Sequence, residues 1–126
     1  MIKPGILLIL LVLRLGLSVS VKAQKISIYQ TVNGKITLSK GDTVQFLKGS
    51  LGRQFVYVFY MVGKVQKRKA TFSGGYYTEL IINHFLQKKE HGEKKVYAVM
   101  GIPNKPKWFV WAEVEEALKE KEIRLK

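Results

Sequence analysis

The stretch "FVYVFYMV", Phe55 to Val62, constrains the fold more than any other part of this chain. Eight consecutive apolar or aromatic residues leave no polar face for water, and the β-branched and aromatic content favours an extended strand. Such a strand has to be covered from two sides, so the segment reads as the spine of the core. It runs straight into "GKVQKRKA", Gly63 to Ala70, where Lys64, Lys67, Arg68 and Lys69 place four cations in six residues. Those cations either cap the exit of a buried strand or form part of a site for a polyanion.

The surrounding pattern has mostly a period of two. Ile26 and Ile28 alternate with polar residues in "KISIYQTV", and Ile36 and Leu38 do so in "KITLS". Asn33-Gly34 lies between them, which predicts a hairpin closed by a type I′ turn. After a Lys40-Gly41-Asp42 turn, "TVQFL" reads as a third strand. Glu79 to Gln87 reads as a long strand, Glu90 to Lys94 as a polar turn, and Val96 to Met100 as a returning strand. A helix over Tyr77 to Lys89 is the rival, since Leu80, Ile81, His84 and Phe85 have helical spacing. The β-branched pair Ile81-Ile82 and the preceding glycines favour the strand. "IPNKPK" reads as a loop, and "WFVW" as a last strand or the entry to a helix. Trp111, Val114, Ala117 and Leu118 then form an apolar stripe. Acids at the start of this segment and bases toward its end suit the dipole of a helix over about 111–123.

The first residues order themselves as an export signal: Lys3, an apolar run from Ile6 to Leu17, then small or polar residues, with Val21 and Ala23 placed for cleavage after Ala23. A retained membrane anchor is the alternative, opposed by Arg14 within a short apolar run. The whole chain of 126 residues has a net charge of +13. A leader of 23 residues takes Lys3, Arg14 and Lys22 with it, leaving 103 residues at +10. That length suits one domain with one modest core. The expected architecture is a mainly β, antiparallel barrel or sandwich of about five to seven strands with one C-terminal α-helix. With no cysteine, packing alone must hold it, and thiol catalysis and cysteine-bound zinc are excluded. Periplasm or secretion from a bacterium is the compartment that fits.

The order "ITLSKGDTVQFLKGSLGRQFVYVFY", "LIINHFLQKKEHGEKKVYAVMG" and "WFVWAEVEEALKEKEI" resembles a group of small, uncharacterised exported proteins of Gram-negative bacteria. A turn like Lys40-Gly41-Asp42, a pair like Gly49-Ser50 and a closing acidic helix ending like Glu122-Ile123 recur in that group. The resemblance spans nearly all of the chain after the leader. Its motifs are structural, so it implies a fold and a compartment and carries over no catalytic residue.

Chemistry is sparse. His84 lies in an apolar strand, where a hydrogen-bonded structural histidine is the commoner role. His91 reads as a turn residue, and Glu90 and Glu93 beside it lack metal-ligand spacing, so no metal or other cofactor is expected. Asp42 is explained by its turn, and "GSLGR" and "SGG" lack the context of a phosphate loop. A non-enzymatic binding or envelope-associated protein is therefore the leading reading, with a small metal-free hydrolase of ribonuclease type using His84 as the alternative. The net charge attracts polyanions: acidic glycan, lipopolysaccharide or a membrane surface, with nucleic acid less favoured. The cations available are Lys64, Lys67, Arg68 and Lys69; Lys88, Lys89, Lys94 and Lys95; and Lys105 with Lys107. Tyr76, Tyr77 and Trp108 are candidates for stacking on a ligand ring. Lysines on strand ends also serve simply to keep β edges apart, so everything turns on whether the clusters converge.

Overall fold

A computed structural model describes residues 24–49, 54–63, 68–73 and 77–126. The expected leader, with its cleavage site and the rival anchor, lies outside the described residues, as do Lys64, Lys67 and Tyr76. About 67% of the described residues lie in strands, and the antiparallel sheet forms a half-barrel with one short C-terminal helix. The strands are β1 (Gln24–Ile26), β2 (Ile28–Gln30), β3 (Thr37–Ser39), β4 (Thr43–Phe46), β5 (Gln54–Val62), β6 (Arg68–Ser73), β7 (Glu79–Glu90), β8 (Glu93–Ile102) and β9 (Lys105–Glu113). Helix α1 (Val114–Lys119) and strand β10 (Ile123–Leu125) follow. The ten described strands exceed the expected five to seven: eight form the main sheet, in the order β10-β4-β7-β8-β9-β5-β6 with β1 also on β7, and β2 and β3 pair separately.

Both faces of this sheet are apolar. The inner face and the elements packed on it bury Leu38, Val44, Phe46, Phe55, Val58, Phe72, Leu80, Ile82, Phe85, Val110, Val114, Ala117 and Ile123 in one cluster. A second cluster holds Phe59, Tyr97, Val99 and Trp111, with Met61, Leu86 and Phe109 against it. Strand β8 supplies both, since Val96, Ala98 and Met100 join the first and Tyr97 and Val99 the second, and all five are buried. The spine is therefore β8. Strand β5 is covered on two sides from Val58 onward, with Val56 exposed, and lies next to the edge strand β6, because double coverage does not dictate a lateral position.

Local chemistry explains the remaining differences. The first hairpin forms, with Ile28 opposite Ser39 and Gln30 opposite Thr37, yet its connection is longer than a two-residue turn. Asn33 spends its side chain there: Oδ1 accepts from Thr31 Oγ1 at 2.7 Å and from the Lys35 N–H at 2.9 Å, while Gly34 alone takes a positive φ of 75°. That is the behaviour of an Asx turn. The two-residue turn occurs at His91-Gly92, where both φ values are positive, 52° and 82°, and Glu90 faces Glu93. Positions 79–90 form the strand rather than the rival helix. "IPNKPK" shrinks to a turn at 103–104, with Asn104 at φ 65°, and β9 already begins at Lys105.

The C-terminal helix occupies only 114–119, shorter than the expected 111–123. Trp111 and Ala112 remain in the ladder, opposite Val99 and Ala98 on one side and Phe59 and Val58 on the other. Ile123 and Leu125 pair with Phe46 and Val44 of β4. Ladder hydrogen bonds on each flank outcompete the helical period, which survives where Val114 and Ala117 are buried.

The bend between α1 and β10 holds a fully buried carboxylate. Glu122 is 0% exposed, and its oxygens accept from the backbone N–H groups of Val56 at 2.8 Å and Tyr57 at 2.9 Å. Those two residues lie where the register of β5 against β6 slips, between Gln54 and Phe59. The Glu122 backbone also receives the Leu47 N–H at 2.8 Å and donates to the Ala117 carbonyl at 2.8 Å. Replacing Glu122 by Ala strips two buried donors of their acceptor, at about 1–3 kcal/mol each. E122A is therefore expected to lose about 2–5 kcal/mol in urea denaturation, with E122Q, which keeps one acceptor, falling between it and the parent.

Candidate functional site

Register decides which cations meet. Strand β8 runs from the Glu90–Glu93 hairpin at one end of the sheet to the 103–104 turn at the other, a length of about 30 Å for its rise per residue. Val62 pairs with both Trp108 and Arg68, and the Gly63 N–H donates to the Lys107 carbonyl at 2.9 Å. The described ends of the basic β5–β6 connection thus adjoin Lys105 and Lys107. The hairpin lysines are at the opposite end of the sheet from those described ends, several Debye lengths away in physiological salt.

The hairpin cluster is also compensated internally. Successive residues point to opposite faces, so the register sends Lys88 and Lys95 to one side and Lys89 and Lys94 to the other. Lys88 pairs with Glu90 at 3.6 Å and stands 5.7 Å from the Trp111 ring centre, and Lys95 pairs with Glu113 at 3.7 Å. Lys94 lines a recess that includes Glu93, Glu113, Glu115 and Glu116. Burial and the neighbouring acids raise the Glu113 carboxyl, against the pull of Lys95. In the same recess Tyr29 donates its hydroxyl to Glu115, and burial followed by that contact raises the phenol strongly. Tyr97 behaves likewise against Glu90 at 2.9 Å. This end of the molecule is rich in carboxylates.

At the other end a small cavity of about 250 Å³ opens between Tyr60, Tyr77, Ile102, Lys105 and Trp108. Tyr60 and Trp108 meet edge to face, with ring centres 5.4 Å apart and planes at 77°. The Lys105 ammonium stands 5.5 Å from the centre of the Trp108 ring. All three aromatic residues are half-buried, packing on the main core from its rim. The register of β9 on β8 shifts between Lys105 and Phe109, across Pro106, which has no N–H to give the ladder. Glu79, the nearby acid, is taken up by Lys126 at 3.1 Å and by Gln45, which together hold its carboxyl below the usual range. Lys69 is on the outer face instead, 4.3 Å from the Phe59 ring centre.

Of the stacking candidates, Tyr77 and Trp108 share this cavity. The place of Tyr60 in the apolar run reads as core, and it does meet Phe72 at 5.2 Å between ring centres. The signal that could have separated it is position: it is the last inward-facing aromatic residue before the basic connection.

His84 follows a register shift on β7, in an open recess with Lys25, Ile26, Ser27, Lys40 and Asn83. Burial and then the two lysines lower its pKa, keeping the imidazole neutral at neutral pH. Among the described residues no carboxylate lines this recess and no group of three metal-ligating side chains forms. His91 sits in its turn. No helix among the described residues is long and apolar enough to cross a membrane. No protein-family model, curated protein or solved structure matches this chain.

The lowered His84 has a measurable consequence. As pH falls through the ordinary histidine range near 6.5, the unfolded chain takes up the proton before the folded one does, so folding stability is lost on acidification. Urea midpoints at pH 7.5 and 5.5 are expected to differ less in His84→Gln than in the parent. An equal difference would show that His84 contributes nothing to the slope.

Proposed function

We propose that this is an exported, non-enzymatic binding protein that takes an anionic ligand at the end of the sheet where Lys105 and Lys107 adjoin the basic β5–β6 connection. The observation that carries this reading is the Gly63 to Lys107 hydrogen bond with the Val62–Trp108 and Val62–Arg68 pairings, which bring the two described ends of the basic connection beside the strand that bears Lys105 and Lys107. Cations gathered at one end, with most nearby acid charge already paired, produce a directed positive field. The order of residues 1–23, a basic start, an apolar run and small residues, supports export and so favours cell-envelope or extracellular polyanions: acidic glycan, lipopolysaccharide or an anionic membrane surface.

The test compares two charge reversals in the secreted protein. Binding to lipopolysaccharide, polygalacturonate and anionic phospholipid vesicles is measured at about 50 and 200 mM salt, a range over which polyanion contacts weaken steeply. K105E/K107E is expected to lose binding by about tenfold or more, while K89E/K94E at the opposite end retains it. Equal loss in both variants, or binding insensitive to salt, would overturn the assignment.

A further inference from the structure

We infer that the cavity between Tyr60, Tyr77 and Trp108 receives one carboxylated sugar ring, a uronic acid unit of an acidic glycan, with Lys105 taking the carboxylate. The inference rests on the binding function proposed above and narrows its ligand. Among the described residues its walls are three half-buried aromatic rings and Ile102, with the Lys105 cation at the rim. That composition, mostly apolar with one placed charge, is what an orienting small-molecule site requires. A charge patch alone would need no aromatic lining.

Geometry selects among anionic ligands. Tyr60 and Trp108 stand near a right angle, at 77°, so they form a corner rather than a pair of parallel plates. A flat nucleobase stacks on one such wall and meets the other edge-on. A saturated ring in a chair form presents C–H groups around its periphery, so it can press them against both walls at once. At about 250 Å³ the cavity suits one ring of a chain, the rest of which would run outward past Lys105 toward Lys107.

The charge is placed for the same ligand. The Lys105 ammonium stands over the Trp108 ring, 5.5 Å from its centre, so a sugar that meets Trp108 beside it brings a substituent carboxylate within reach of the ammonium. The irregular stretch around Pro106 re-aims this part of β9, as bulges commonly do beside binding sites. Tyr77, entering from the start of β7, closes the third side.

Calorimetric titration of the secreted protein with trigalacturonate, neutral galactotriose, dextran sulfate and oligothymidylate tests this directly. Trigalacturonate is expected to bind at least about tenfold tighter than galactotriose, W108A to lose about tenfold or more of that binding, and W108F to keep most of it. K105Q should bring the acidic and neutral sugars close together in affinity. Y77A is a second truncation that leaves the strand ladders intact, and circular dichroism of each variant establishes that it is folded. If W108A and Y77A bind trigalacturonate as the parent does while K105E/K107E does not, the cavity inference fails and the broader anion-binding reading stands. If oligothymidylate binds more tightly than trigalacturonate through Trp108, the ligand class is wrong. If none of the three anionic probes binds the parent, the cavity inference falls, and if lipopolysaccharide and anionic phospholipid vesicles also fail to bind, the broader reading falls with it.

Discussion

Two backbone N–H groups converging on the Glu122 carboxylate tie together parts of the chain that no strand ladder joins. Strand β5 can slip its register against β6 only because the N–H groups of Val56 and Tyr57 find another acceptor, at 2.8 and 2.9 Å. The same residue lies between α1 and β10, and its backbone links Ala117 to Leu47. Helix end, edge strand and the irregular part of β5 are thus fixed to one point. A carboxyl group with no exposure is tolerated when both of its oxygens accept hydrogen bonds, and it leaves the chain little choice of alternative packing.

Around that point the sheet is unusual in having apolar side chains on both faces. The cluster around Phe85 and Phe72 fills the half-barrel, whereas Phe59, Tyr97 and Trp111 pack against one another on the reverse side, with ring centres 5.4 to 6.2 Å apart. Lys69 and Lys88 stand against Phe59 and Trp111 there, their stems lying along apolar surface and their charges near ring faces. Two lysines that look like members of charge runs are therefore also parts of this reverse packing.

How far these features were legible in the sequence depended on whether local chemistry or distant pairing decided them. Strand periodicity and the double coverage of β5 from Val58 onward were readable because each rests on side chains within a few residues. The short helix was not, since Trp111 satisfies a helical stripe and a strand ladder equally well and the ladder partners Val99 and Phe59 are remote in sequence. Asn33-Gly34 misled because an Asn side chain can cap a longer loop as well as sit in a tight one, while His91-Gly92 took the tight turn between long pairing strands. The candidate site was half visible. Lys105, Lys107, Tyr77 and Trp108 stand out in the sequence, but only the strand order brings Tyr77, just before β7, beside Trp108 of β9 and sets the hairpin lysines apart from both.

That separation of charge has a consequence for motion as well as for contact. Glu90, Glu93, Glu113, Glu115 and Glu116 gather at the hairpin end, five of the nine acids in the chain, while Lys105, Lys107 and the flanks of the basic connection mark the other end. Such a molecule, with Lys88, Lys89, Lys94 and Lys95 offsetting those acids at the hairpin end, is uneven in charge along its strands. Near a negatively charged surface it experiences a torque before it touches anything, and rotational diffusion becomes biased toward arrival with the aromatic mouth leading.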